Sequence, residues 1–194
     1  MLVVFRGLPG TGKSYLVGRL LERRPDFLVL SRDALRASIV PRPTFSADEK
    51  ALVDDLVVAM AGVLLVKGRD VVIDGMALSS AARVEQFAWA AEAAGAALRV
   101  VECSCSENTA LARIAADAGA HLAGDRGEKL YFEVKARFER LARPVLAVDT
   151  DGDAEANREA ILSYLGALSA LGAPSALGAP SALSAGPAAR AGGG

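Results

Sequence analysis

The chain is poor in the residues that hold metals or staple small secreted folds. Among 194 residues it has one histidine, His121, and two cysteines, Cys103 and Cys105. The thiols stand at C-x-C spacing on an expected strand, so they share a face, and His121 is distant in sequence. That makes a poor metal site, and the pair reads as small apolar core residues. Two cysteines provide no disulfide framework for a secreted fold. No apolar run is long enough to span a membrane. The apolar run at the N-terminus has no basic region ahead of it, so it does not read as a signal peptide. A cytoplasmic protein with no membrane partner is the expectation. An excess of one charge is also missing: 22 basic against 23 acidic residues leave a net charge of -1, unlike a dedicated duplex-DNA binder. The charge is unevenly spread, however. Residues 1–45 carry eight basic and three acidic side chains, residues 46–125 six and twelve. An anionic ligand is expected near the N-terminal end.

That end contains Gly7-Leu8-Pro9-Gly10-Thr11-Gly12-Lys13-Ser14, which fits G-x-x-x-x-G-K-[ST], the P-loop. The run Leu2-Val3-Val4-Phe5 before it reads as a buried parallel strand. The segment from Ser14 to Arg24 reads as a helix ended by Pro25. The motif therefore occupies a strand-to-helix turn, where amides and the helix dipole attract anions. ATP is the expected ligand, held by Gly7, Pro9, Gly10, Thr11, Gly12, Lys13, Ser14 and Tyr15. Lys13 suits the β and γ phosphates, and the Ser14 hydroxyl suits Mg²⁺.

Strands and helices alternate through the rest of the chain. Residues 27–30, 71–73, 98–101 and 145–148 read as further strands. Helices are expected from a Ser46/Glu49 capping box to about residue 66, from Ser79 or Ser80 to Gly95, from Ser106 to about 116, over 128–140 and over 153–165. The pattern implies an α/β fold with a parallel sheet of about five strands sandwiched by helices. Ligands should sit at the carboxyl ends of the strands, where the P-loop, Asp33 and Asp74 all fall. Asp117 to Gly127 has no clear period and reads as a mobile lid. From Gly166 the segment Ser-Ala-Leu-Gly-Ala-Pro recurs, and proline every six residues forbids a long helix. The expectation is a kinase-like domain over 1–165 and a low-complexity flexible tail over 166–194.

No N-K-x-D guanine-reading motif is present. The strand-end Asp74 is followed by Gly75 rather than by a water-activating glutamate. A phosphotransferase, with an acceptor hydroxyl in place of water, fits best. Asp33 would take the acceptor's proton. Arg36, three residues on, shares its side of a helical turn and would grip an anionic group. The alternative is an Asp33–Arg36 surface pair, or Asp33 as an N-cap. Asp74 would orient Mg²⁺, or else be a turn residue. Arg32, Arg42 and Arg83 would line the acceptor cleft, or be solvated. Phe45 would be a stacking platform or a core staple.

The combination of Gly7–Ser14, Ser31-Arg32-Asp33-x-x-Arg36 and Val72-Ile73-Asp74 resembles the 5′-hydroxyl polynucleotide kinases of the bacteriophage type. It is shared with seryl-tRNA kinases, zeta-toxin-like kinases and antibiotic phosphotransferases. The resemblance covers about residues 1–152. It implies an ATP- and Mg²⁺-dependent kinase on a P-loop NTPase fold, with Asp33 as general base, Arg36 on a substrate phosphate and Asp74 supporting the site. It implies a nucleic-acid 5′ end as acceptor, with a small hydroxyl compound as the alternative. A non-catalytic nucleotide-binding module is the rival from another class. Related kinases carry two arginines before the lid. Here Arg113 is present, Asp117 holds the second place, and Arg126 is the expected replacement. Backbone near Asp149 to Gly152 is expected against adenine. The sequence leaves the oligomeric state open.

Overall fold

In the computed structural model, residues 1–117 and 127–166 are described. Five strands, β1 (Leu2–Arg6), β2 (Leu28–Ser31), β3 (Val71–Asp74), β4 (Leu98–Ser104) and β5 (Leu146–Asp149), form one sheet in the order β2-β3-β1-β4-β5. Every pairing is parallel. The helices are α1 (Lys13–Leu21), α2 (Arg32–Ile39), α3 (Ala47–Val66), α4 (Ala81–Ala93), α5 (Glu107–Ala116), α6 (Glu128–Ala136) and α7 (Ala154–Gly166). The expected α/β sandwich is present.

The reason lies in β1. All five of its residues are buried, because a central parallel strand is covered on both faces and must be apolar on both. Leu2 and Val4 join one core with Val57, Ala61 and Leu65 of α3 and Val84 and Phe87 of α4. Val3 and Phe5 join the other, with Leu16 and Leu20 of α1 and Ile161 and Leu165 of α7. Neighbouring residues of one strand thus stabilise opposite layers.

Several local expectations change. Strand β1 runs one residue further than the apolar run, to Arg6, which is fully buried. Its Nη2 donates to the Glu139 carbonyl at 2.7 Å, its Nη1 lies 3.3 Å from Glu102, and its guanidinium stacks on Phe138 at 4.2 Å. Burial pulls this guanidinium below its ordinary pKa, opposed by Glu102 and Glu139. A carbonyl, a carboxylate and a ring together let a charge sit where the pattern called for an apolar residue.

Helix α6 stops at Ala136 rather than near 140. Ser80 stands at the N-cap of α4 without a side-chain cap bond, and the Ala81 amide donates instead to Glu139 Oε2 at 2.6 Å. The expected capping box at α3 is half made. Ser46 Oγ accepts from the Glu49 amide at 3.2 Å, but Glu49 reaches past Ser46 to Thr44 and Phe45. The two cysteines part company: Cys103 is buried in the α1/α7 core, while Cys105 lies beyond β4 beside the Gly10 carbonyl. Among the described residues no group of three or more His, Cys, Asp or Glu could hold a metal. No described helix is long and apolar enough to cross a membrane.

Candidate active site

The P-loop runs from the end of β1 into α1 and packs directly on neighbouring backbone. Gly10 has φ +78°, and a Cβ there would lie 2.4 Å from the Ala110 carbonyl of α5. Only glycine allows both that dihedral and that approach. Thr11 folds inward, its hydroxyl donating to the Leu8 carbonyl at 2.7 Å. Lys13 is buried, and its Nζ donates to the Gly7 and Leu8 carbonyls at 2.9 and 2.8 Å. The ammonium is thus held at the mouth of the loop. Ser14, one residue on, donates its hydroxyl to Asp74 Oδ1 at 2.8 Å.

Asp33 reaches the same region from β2. Ser31 caps α2, its Oγ accepting from the Ala34 amide at 3.3 Å, so Asp33 falls in the first turn rather than at the cap. In the sheet Ser31 lies opposite Asp74. Gly75 follows with φ +76°, and a Cβ there would meet Asp33 Oδ2 at 3.3 Å. This glycine therefore lets the two strand-end carboxylates approach the same space. Asp33 and Arg36 are both buried, and Arg36 Nη1 donates to Asp33 Oδ1 at 3.1 Å. The other edge of Arg36 lies 3.0 Å from Glu49 Oε1, and its plane covers the Phe45 ring at 5.2 Å. The pair is therefore interior, not a surface ion pair. Phe45 belongs to the shell around Arg36.

Two main openings flank the loop. One, of about 590 Å³, is bordered by Gly10, Gly12, Lys13, Ser14, Tyr15 and Arg113, and by Thr150 and Asn157 beyond β5. Arg113 closes its far side by donating to the Gly10 carbonyl at 3.4 Å and to Thr150 Oγ1 and carbonyl at 2.9 and 3.0 Å. The expected nucleotide residues Gly10, Gly12, Lys13, Ser14, Tyr15 and Arg113 and the segment near Thr150 therefore share one cavity. Gly7 and Thr11 shape the loop from within, and Pro9 faces the other side.

On that other side a neck of about 100 Å³ is bordered by Lys13, Asp33 and Arg36. Arg32, Lys50, Met76, Leu130 and Arg137 border both this neck and a further cavity of about 620 Å³, so the two adjoin. Arg32 Nε lies 2.8 Å from Asp54 Oδ1, and Arg83 pairs with Asp55 at 2.6 Å and Asp54 at 3.9 Å. Burial pushes the Asp54 carboxyl up, against the pull of Arg32 and Arg83. Arg32 and Arg83 thus border the second cavity as expected. Arg42 is exposed and borders neither. Arg126 and His121 lie outside the described residues.

The sequence reading missed Glu49, Lys50, Asp54 and Arg137. Glu49 was visible only as a capping residue, and the others carried no motif. What unites them is the packing of α3 and α6 around one hollow, which periodicity does not encode.

Comparison with known proteins agrees with this architecture. A search of curated protein sequences found no match. Among solved structures, the APS kinase of Mycobacterium tuberculosis in complex with AMPPNP and APS superposes with a TM-score of 0.65 at 20% identity, covering 84% of this chain and 96% of that one. A sugar kinase from Janibacter sp. HTCC2649 gives 0.66 at 13% identity, covering 84% and 93%. A gluconokinase from Sinorhizobium meliloti 1021 gives 0.58 at 19% identity, covering 87% and 93%. These likenesses show a shared α/β P-loop fold. With the loop, both strand-end aspartates and four of the five strands inside the matched region, residues 2–141, the chain belongs to the AAA domain family.

Proposed function

We propose that this protein is an ATP-dependent kinase that transfers the γ-phosphate to a hydroxyl of a small molecule. The observation that carries the reading is the placement of Lys13, which borders both a nucleotide-sized cavity and the neck that holds Asp33. A phosphate bound at Lys13 faces donor on one side and acceptor on the other.

Each residue then has a task. The loop amides receive the β and γ phosphates, whose oxygens replace the Gly7 and Leu8 carbonyls as partners of Lys13. Arg113 and Thr150 border the adenosine side. Ser14 and Asp74 present hard oxygen donors 2.8 Å apart, which fits Mg²⁺ held by one or two protein oxygens plus phosphates. When bound there, the ion would supply neutralisation of phosphate charge. Asp33 accepts the hydroxyl proton as the acceptor oxygen bonds to the γ-phosphorus. The bond from that phosphorus to the β–γ bridging oxygen breaks, and ADP leaves. Arg36 holds Asp33 in place through the hydrogen bond from Nη1 to Asp33 Oδ1 at 3.1 Å. Arg126 remains the proposed cation for the transferring phosphoryl group.

For the acceptor, the small-molecule alternative is better supported than a nucleic-acid 5′ end. Three solved structures with similar folds are described as an APS kinase, a sugar kinase and a gluconokinase. Arg36, expected to grip a phosphate of the nucleic acid, is engaged by Asp33 and Glu49. Arg42 lies away from the cavities.

The test is transfer of labelled γ-phosphate from ATP with Mg²⁺ to a panel of sugars, nucleosides, nucleotides and aminoglycosides, beside a 5′-hydroxyl oligonucleotide. Wild type and Asp33→Asn are run together. The expected result is a labelled small acceptor that Asp33→Asn does not label. Labelling of the oligonucleotide alone would overturn the acceptor, and ATP binding with no transfer at all would overturn the kinase.

A further inference from the structure

Helix α3 is apolar on its outer side as well as its inner one. Val53, Val57, Ala61 and Leu65 are buried in the core. Leu52, Leu56, Met60, Val63 and Val66 are exposed, Leu52 by 56%, Val63 by 62% and Val66 by 68%. Half of the large exposed apolar residues among those described lie on this one helix. Scattered singly, such residues need no explanation, but gathered on one face they mark a contact surface. A surface helix ordinarily turns polar residues outward, whereas a helix apolar all round is a buried one. Helix α7 follows the ordinary pattern, with Ile161 and Leu165 buried and Glu155 and Glu159 exposed.

The exposed residues of α3 follow one another at spacings of four, four, three and three. Their mean, about 3.5, is the repeat that keeps a seam facing a neighbouring helix. The stripe is about 21 Å long at the helical rise. Opposite charges flank it. Asp48 in the first turn and Lys67 at the C-cap are both exposed, and neither side chain has a partner among the described residues.

We propose that this face of α3 pairs with α3 of a second copy of the chain, antiparallel, about a two-fold axis. With Asp48 opposite Lys67 of the second copy, Leu52 falls opposite Val63, Leu56 falls opposite Ala59, and Met60 lies beside the axis. One register thus matches the charges and the apolar residues together, and the symmetry makes each pairing twice. Covering the stripe and its rim on both copies removes on the order of 1,000 Å² from water, the threshold of a specific interface. The tail from residue 167 is the other occupant the chain itself offers. It continues from α7, however, whose buried residues belong to the core on the opposite face of the sheet from α3. Lys50 and Asp54, which border the acceptor cavity, stand two residues before Leu52 and Leu56, about 200° round the helix. The pairing therefore leaves that cavity open.

The test is the mass of the full chain by sedimentation velocity, from about 1 to 200 μM. Wild type is run beside Leu56→Glu, Val63→Glu, Asp48→Lys, Lys67→Glu and the double exchange Asp48→Lys/Lys67→Glu. All change exposed positions, and ADP binding and Tm confirm that each variant has folded. The expected result is a reversible dimer with a micromolar Kd. Leu56→Glu and Val63→Glu bring charge into the seam and should each weaken association at least about tenfold. Each single reversal, Asp48→Lys or Lys67→Glu, sets like charges opposite one another and should weaken it about threefold to tenfold. The double exchange should return it to within about twofold of wild type. A merely structural effect of the single reversals would not be rescued in this way.

A chain that stays monomeric throughout overturns the pairing. So does a dimer that Leu56→Glu and Val63→Glu leave intact, since another face then holds it. A chain that dimerises only after removal of residues 167–194 overturns it as well, because the tail then occupies the stripe. A double exchange that fails to restore association overturns the antiparallel register.

Discussion

The Ser14 hydroxyl donates to Asp74 Oδ1 at 2.8 Å across sixty residues of sequence. The contact joins the start of α1, which follows β1, to the end of β3, the strand beside β1 in the sheet. It preforms a pair of oxygens beside the phosphate loop. Asp74→Asn keeps the size but removes the charge. It is expected to lower kcat by about 10²-fold or more and to shift the Mg²⁺ concentration for half-maximal rate upward. Nucleotide binding without Mg²⁺ should change little. Titrating Mg²⁺ in the transfer assay, beside ADP binding by calorimetry, checks both.

Asp33 and Arg36 share one buried ion pair, with Glu49 on the far side of the guanidinium. Asp33→Asn is expected to reduce kcat by about 10²–10⁴-fold while ATP affinity holds. Arg36→Lys loses the fork that spans two carboxylates and leaves part of a buried cluster unpaired. It should cost about 1–3 kcal/mol of stability as well as rate. Chemical denaturation and single-turnover kinetics separate the two effects.

Gly10→Ala places a methyl group 2.4 Å from the Ala110 carbonyl at φ +78°. Neither the dihedral nor the contact can be relieved by rotating a side chain. The loop must move away from α5, taking Gly12 and Lys13 with it. Nucleotide affinity should fall at least about tenfold and Tm by several degrees, at about 1–3 kcal/mol for the strain. An unchanged Tm and an unchanged ADP affinity would contradict this packing.

Glu49 is held below its ordinary value of 4.5, first by the hydrogen bond from the Thr44 amide and then by the Thr44 hydroxyl, the Phe45 amide and Arg36. A depressed carboxylate contributes stability that is present above its unfolded value and lost as pH falls through the folded one. The protein should therefore lose stability as pH falls below that ordinary value of 4.5. Glu49→Gln should start lower in Tm and show a flatter acid limb. Tm measured across that range compares the slopes directly.

Ile161 and Leu165 are each 1% exposed in the α1/α7 core, and the described part of the chain runs to Gly166 of α7. A truncation after Gly166 should keep Tm within about a degree and retain transfer activity. Truncation before Ile161 removes two buried anchors and should cost about 2–5 kcal/mol for each. If loss of residues 167–194 alone lowers activity, the tail has a role that its composition conceals.

What the sequence determined by itself was local and repetitive. The run Leu2-Val3-Val4-Phe5 read as a buried parallel strand, and Gly7–Ser14 as the turn from it into a helix that favours anions. The α/β alternation followed from period and caps, because both depend on residues a few positions apart. The end of β1 was less legible, since Arg6 becomes tolerable only when Glu102, Glu139 and Phe138 arrive from distant segments. The same holds for the site. Asp33 and Asp74 could be placed at strand ends from the sequence. That Ser14 would bond Asp74, that Arg36 would be buried between Asp33 and Glu49, and that Arg42 would stay outside were decided by packing. The acceptor cavity is the extreme case. Its charged lining comes from α2, α3, α4 and the end of α6, where no two cations belong to one motif. Long-range desolvation and charge pairing choose among such side chains, and only the folded sheet brings them within reach of one another.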